Sequence, residues 1–109
     1  MIRDAKARRI IFDISKKIEK GYRPEKIILY GSFAYGKPGR DSDIDFLIVK
    51  QTKERPIDRR VRVRRIVDVR ETISFSPIVM TPREIENRLN YGDQALKEIL
   101  DKGDVLYAA

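Results

Sequence analysis

The stretch from Ile27 to Lys50, I-I-L-Y-G-S-F-A-Y-G-K-P-G-R-D-S-D-I-D-F-L-I-V-K, constrains the fold more than any other part of the chain. An apolar run, Ile27 to Tyr30, stops at Gly31-Ser32. A loop-forming segment with Gly36, Pro38 and Gly39 follows, and then Asp41, Asp43 and Asp45 alternate. The last of them opens a second apolar run, Phe46 to Val49. Short apolar runs bounded by turn residues fit strands buried on both faces, as in the centre of a mixed or parallel sheet. Two core strands would then bring a Gly-Ser turn and a pair of carboxylates to one end of that sheet.

Elementary physics says what such an end is suited to. Side chains two apart on a strand project to the same face, so Asp43 and Asp45 point together with Cα atoms about 6.5 Å apart. Like charges at that separation repel by roughly 0.6 kcal/mol in water and about 2.5 kcal/mol at an effective dielectric of 20. Folding gains nothing from the repulsion, whereas a hard cation would relieve it. Mg²⁺ takes one or two carboxylates and shares its other positions with water and phosphate oxygens. Gly31 allows close backbone approach or a positive φ, and Ser32 can cap a helix or hydrogen-bond a phosphate. A phosphate cradle beside metal-binding carboxylates implies phosphoryl-type chemistry on a nucleotide.

The composition narrows the chemistry further. The chain of 109 residues contains no cysteine and no histidine, which excludes disulfides, thiolate zinc sites, thiol catalysis and a Ser-His triad. Any acid–base group must be a carboxylate, lysine, tyrosine or water. The length fits a single domain spanning residues 1–109. With 41% apolar and 38% charged residues, no apolar leader and no membrane-length run, the expectation is a cytoplasmic protein that does not enter a membrane. Abundant Lys, Arg, Glu and Ile hint at a thermophile. The net charge of +7 is concentrated between Arg55 and Arg70, where seven arginines meet only two aspartates. Such a stripe can bind nucleic acid, steer a nucleoside triphosphate, match an acidic partner or simply form a solvated helix face. No aromatic residues interleave it as stacking platforms, so the nucleic-acid reading is not favoured.

The remaining elements follow from periodicity. Residues 4–20 read as an amphipathic helix with Ile10, Ile11, Ile14 and Ile18 on one face, ended by Gly21. A strand covers Lys26 to Tyr30, and Phe33 to Tyr35 make about one helical turn in which both aromatics pack. Pro56 opens a segment to about Val69 that alternates like a strand. A helix is favoured there, with Ile57, Val61, Val63, Ile66 and Val67 as its apolar stripe. Ile73 to Thr81 reads as a strand, which Pro77 assigns to an edge or a bulge. Thr81, Pro82 and Glu84 form a capping box for a helix to about Asn90. Asp93 caps a last helix with Ala95, Leu96, Ile99 and Leu100 buried and Gly103 ending it, before a short strand at Asp104 to Tyr107. The fold expected is α/β in the α+β sense, a small mixed sheet of about three or four strands with helices packed on it.

Gly31-Ser32, ten intervening residues and Asp43-Ile44-Asp45 resemble the G-S-x10-D-x-D signature of the DNA polymerase β-like nucleotidyltransferase superfamily. The wording L-Y-G-S-F-A-Y-G-K is most similar to its minimal members, the MNT proteins that are paired with small helical HEPN proteins in toxin–antitoxin systems. The resemblance implies the polymerase β-like fold and a Mg²⁺ site, two ions in the active complex, at Asp43 and Asp45 as the catalytic residues. It further implies that Gly31 and Ser32 hold the β- and γ-phosphates of ATP, and that AMP passes to an acceptor hydroxyl, a tyrosine on the HEPN partner. The chain departs from the pattern at one point. Where the family has a third carboxylate on the later strand, alignment on Thr81-Pro82 puts Ser76, and no acid lies between Thr72 and Thr81. To replace it, Asp68 or Glu71 would have to swing in or the partner would have to supply the group, and the spacing indicates neither. A positioned general base contributes about 10²–10⁴-fold in rate, so a catalytically impaired, nucleotide-binding antitoxin that works by contact stands as the alternative. A nucleic-acid adaptor built on the arginine stripe is a third, weaker one. So small a domain needs a second protein or self-association to recognise an acceptor.

Overall fold

The computed structural model describes residues 4–68 and 74–109. In chain order the elements are α1 (Ala5–Tyr22), β1 (Lys26–Tyr30), α2 (Ser32–Tyr35), β2 (Ile44–Val49), α3 (Pro56–Val67), β3 (Phe75–Met80), α4 (Pro82–Asn90), α5 (Gln94–Lys102) and β4 (Asp104–Ala108). The strands form one mixed sheet in the order β3-β2-β1-β4, with β2 and β3 parallel and the other pairs antiparallel. The two apolar runs of the motif stretch are thus the two central strands. No described helix is long and apolar enough to cross a membrane.

Each face of the sheet is covered, which is why β1 and β2 are apolar without alternation. On one face Ile27, Leu29, Ile44, Phe46 and Ile48 pack with the isoleucines of α1 and with Val63 and Val67 of α3. On the other, Ile28 and Leu47 meet Leu96, with Ile85, Ile99 and Leu100 at the margin. Phe46 and Phe75 meet edge to face at 5.2 Å between ring centroids. Asp4 caps α1 by accepting from the N–H groups of Lys6 and Ala7. The capping box at Thr81 and Glu84 is present.

Several sequence expectations need correction. Gly21 does not end α1, which continues to Tyr22 and closes at Arg23 with φ 52°. Its role is one of space: a β-carbon at Gly21 would lie 2.7 Å from Ile66 Cγ2, so glycine lets α3 approach α1. The buried stripe of α3 is Arg59, Val63 and Val67, with Ile66 half-buried, while Ile57 and Val61 face solvent. Ala95 of α5 is exposed, and of that helix only Leu96 is fully buried. Tyr35 is exposed while Phe33 is buried. β3 begins at Phe75; Ile73, where the strand was expected to start, lies outside the described residues.

Among the described residues Arg59 is the most deeply placed charge. Its side chain is 7% exposed and its Nη1 donates to Glu84 Oε1 at 2.7 Å and to the Val79 carbonyl at 3.3 Å, while Nε donates to the Glu54 carbonyl at 2.7 Å. One guanidinium therefore ties the start of α3 to β3 and to the first turn of α4. Burial pushes the Glu84 carboxyl up, but the hydrogen bonds from Arg59 and from the Thr81 N–H outweigh it and hold the group below its ordinary value. A depressed carboxylate stabilises the fold above its unfolded pKa of 4.5 and loses that contribution as pH falls through the lower folded value. Glu84→Gln should therefore cost about 1–2 kcal/mol at neutral pH, toward the lower end because water screens a partly exposed pair. Chemical unfolding across the acid range should show the wild-type advantage shrinking below pH 4.5 and vanishing once Glu84 is protonated.

Candidate nucleotidyl-transfer site

The register of the sheet gathers the motif residues. Tyr30 at the end of β1 pairs with Asp45 at the start of β2, and Asp45 pairs in turn with Ser76 on β3. The three side chains share the face that carries Ile28 and Leu47, because paired residues and residues two apart project alike. Asp43 stands one residue before β2 and is exposed, whereas Asp45 is half-buried.

The Gly31-Ser32 turn folds directly onto Asp45. Gly31 has φ 77° and ψ −158°, and a β-carbon on it would lie 2.5 Å from Asp45 Oδ2. Both the left-handed backbone and the close approach demand glycine here. Ser32 then starts α2, whose N–H groups at Ala34 and Tyr35 both return to the Gly31 carbonyl at 3.0 Å. The two halves of the motif, separated by the loop in which Gly39 N–H donates to Ser42 Oγ at 2.7 Å, are thus in contact.

Electrostatics at this point match a site short of positive charge. Burial pushes the Asp45 carboxyl up, and the Asp43 charge adds to the shift. The Tyr30 hydroxyl is pushed up to about 12, first by burial and then by Asp45 and Tyr35. Lys37 and Arg40 are exposed in the loop, and Asp41 sits in its turn. Among the described residues no group of three or more acidic or histidine side chains is disposed to hold a metal. Two mutually repelling carboxylates of hard oxygen donors fit Mg²⁺, which completes its shell with water and phosphate, and do not fit a zinc site. Ser76 on β3 is level with Asp45. Glu71 lies outside the described residues, and Asp68 is the left-handed C-cap of α3.

Residues 8–105 match the nucleotidyltransferase domain family. The chain belongs to that family. A crystal structure described as a "putative nucleotidyltransferase" from Sulfolobus solfataricus superposes with a TM-score of 0.55 at 24% identity, over 72% of this chain and 70% of that one, and shares the fold. A Methanocaldococcus jannaschii relative named "Putative protein adenylyltransferase MJ1305" is 41% identical over 63 residues. That match covers 54% of this chain and 43% of the relative, so it spans somewhat less than half of the relative's length. Nucleotidyl transfer is the reaction class of the family, with a nucleoside triphosphate as donor and a divalent metal as its usual helper.

Sequence reasoning missed two features of the site. Tyr30, read as the end of an apolar run, lies cross-strand from Asp45, a relation visible only once the β1–β2 register is known. The arginine stripe is largely spoken for: Arg59 is buried, Arg62 pairs with Glu54 at 2.8 Å, Arg64 donates to the Phe75 carbonyl at 2.8 Å and Arg55 pairs with Asp58. Arg70 lies outside the described residues.

Two substitutions test the geometry. Gly31→Ala should destabilise by about 1–3 kcal/mol, because alanine is strained at this φ and displaces the Asp45 carboxylate. Urea unfolding measures it. Asp45→Asn relieves the like-charge contact, so its melting temperature without divalent ions should exceed the wild type's. Added Mg²⁺ should raise the wild-type melting temperature and leave that of Asp45→Asn unchanged.

Proposed function

We propose that the protein transfers AMP from ATP to a protein hydroxyl, in the setting of a HEPN/MNT pair a tyrosine of the helical HEPN partner, and so acts as an antitoxin. The observation that carries this reading is the contact of the Gly31 turn with Asp45, one strand from Ser76. Family membership supports the reaction class, and the name of the Methanocaldococcus relative supports protein as acceptor. The partner rests on resemblance to the MNT proteins.

In this mechanism Asp43 and Asp45 would hold Mg²⁺, which would supply positive charge to the triphosphate. Gly31 offers its backbone and Ser32 its hydroxyl to the β- and γ-phosphates. The acceptor oxygen attacks the α-phosphorus, the bond to the β-phosphate oxygen breaks and pyrophosphate leaves. The acceptor's proton is the weak point. A carboxylate level with Asp45 on β3 would be placed to take it, and Ser76 is a poor base.

That substitution favours a second reading, in which the chain binds nucleotide with little turnover and neutralises its partner by contact. A nucleic-acid role is disfavoured, since most of the described arginines of the stripe serve internal bonds.

The discriminating experiment supplies ATP labelled on the α-phosphate, Mg²⁺ and a HEPN protein as candidate partner. Label on the partner that disappears with Asp43→Ala/Asp45→Ala supports transfer. Nucleotide binding with neutralisation and no label supports the contact mechanism. Ser76→Asp should raise the labelling rate by at least about 100-fold, the lower end of what a positioned base contributes. No change in that variant would sink the assignment of position 76.

A further inference from the structure

A row of half-buried polar side chains crosses the site end of the sheet: Tyr30 on β1, Asp45 on β2 and Ser76 on β3. The next row on the same face, Ile28, Leu47 and Ile78, is apolar. Adjacent strands lie about 4.8 Å apart, which makes the polar row about 10 Å long. In the mechanism above Asp45 serves the metal and Ser76 marks the end where the acceptor enters. Tyr30 has no part in it.

The ring and the hydroxyl of Tyr30 call for different explanations. The ring packs on the cluster of Ile28, Leu47 and Leu96, where phenylalanine would pack as well. The hydroxyl adds nothing to that packing, and among the described residues no hydrogen bond engages it. Its electrostatic neighbours are Asp45 and Tyr35. Side chains on a strand stand roughly perpendicular to the sheet, and a phenol is longer than the side chain of an aspartate. The hydroxyl therefore reaches past the Asp45 carboxylate, into the layer that a ligand of Asp45 would occupy.

The chemistry decides what lies beside it. In phosphoryl-type transfer the attacking and leaving oxygens sit roughly in line through the phosphorus. An acceptor oxygen that enters from the Ser76 end directs the leaving pyrophosphate toward the β1 end. The Gly31-Ser32 turn stands at that same end, next in the chain after Tyr30 and in contact with Asp45. When the bond to the β-phosphate oxygen breaks, its electron pair stays on that oxygen. Negative charge then grows where the phenol can donate, the arrangement that favours a transition state most.

We propose that Tyr30 is a pyrophosphate-binding residue of the site, its hydroxyl donating a hydrogen bond to the β-phosphate of the nucleotide. The assignment rests on the nucleotidyl-transfer reading above and adds a residue that the Gly-Ser and Asp motif does not contain. A neutral donor suits the place. A lysine there would pair with Asp43 or Asp45, whereas a phenol leaves both carboxylates to the cation.

Isothermal titration calorimetry of the full chain tests the assignment without needing turnover. The probes are pyrophosphate and ATP, each with Mg²⁺, and AMP. Tyr30→Phe keeps the ring and removes the hydroxyl. Its affinity for pyrophosphate and for ATP should fall about tenfold, the loss of one hydrogen bond to a charged group, with AMP unchanged. Without ligand the variant should melt at the wild-type temperature. A melting point well below the wild type's makes the hydroxyl a structural group and overturns the assignment. Undiminished binding of pyrophosphate and ATP by the variant overturns it alone, since the wild type then still holds its nucleotide. An equal loss for AMP also overturns it, by moving the contact to the nucleoside monophosphate half. If the wild type binds neither ATP nor pyrophosphate, the nucleotidyl-transfer reading itself fails and the role of Tyr30 falls with it.

Discussion

Contact between the Gly31 backbone and the Asp45 carboxylate is the constraint to which the other parts of the site answer. It requires two neighbouring strands running in opposite directions, so that the end of one meets the beginning of the other. It also requires both strands to be buried on both faces, since a shift of one residue in register would turn Asp45 into the core and Ile44 into the pocket. The isoleucine stripe of α1 and the smaller cluster around Leu96 fix that register from opposite sides. The end of the sheet that carries the candidate site is thus specified by packing that involves neither Gly31 nor Asp45.

Arg59 organises the other half of the molecule. A buried guanidinium bonded to two carbonyls and a carboxylate holds α3, β3 and α4 in one arrangement. Removal of one partner would leave an uncompensated charge, which costs more than the pair itself contributes. The same helix supplies Arg64 to the β3 backbone. The basic stripe is thus a surface in which Arg59 is buried, Arg55, Arg62 and Arg64 bond within the chain while staying exposed, and Arg60 and Arg65 face outward.

Much of this was legible in the sequence, for physical reasons that differ by element. The central strands and the motif turn were visible because unbroken apolar runs and obligatory turn residues leave few alternatives. Thr81 and Asp93 marked helix starts through local hydrogen bonds that need no tertiary knowledge. The α3 stripe was misread because Ile57 and Val61 are as apolar as Val63 and Val67, and only the position of β3 decides which row is buried. Burial of Arg59 was invisible for the same reason, since its partners lie 20 and 25 positions away. Gly21 looked like a stop signal and is a point of close approach between helices. The cross-strand position of Tyr30 needed the register.

The parallel strand β3 lies at the margin of the sheet, and this has a consequence for how such a chain can change. Gly31 and Asp45 lie at the ends of the two central strands, while Ser76 lies on a margin strand that pairs with β2 along six residues and is tied on its outer side by Arg59 and Arg64. A change at position 76 meets half-exposed surroundings, whereas any side chain added at Gly31 meets the Asp45 carboxylate, so the two ends of the pocket differ in how freely their residues can be exchanged.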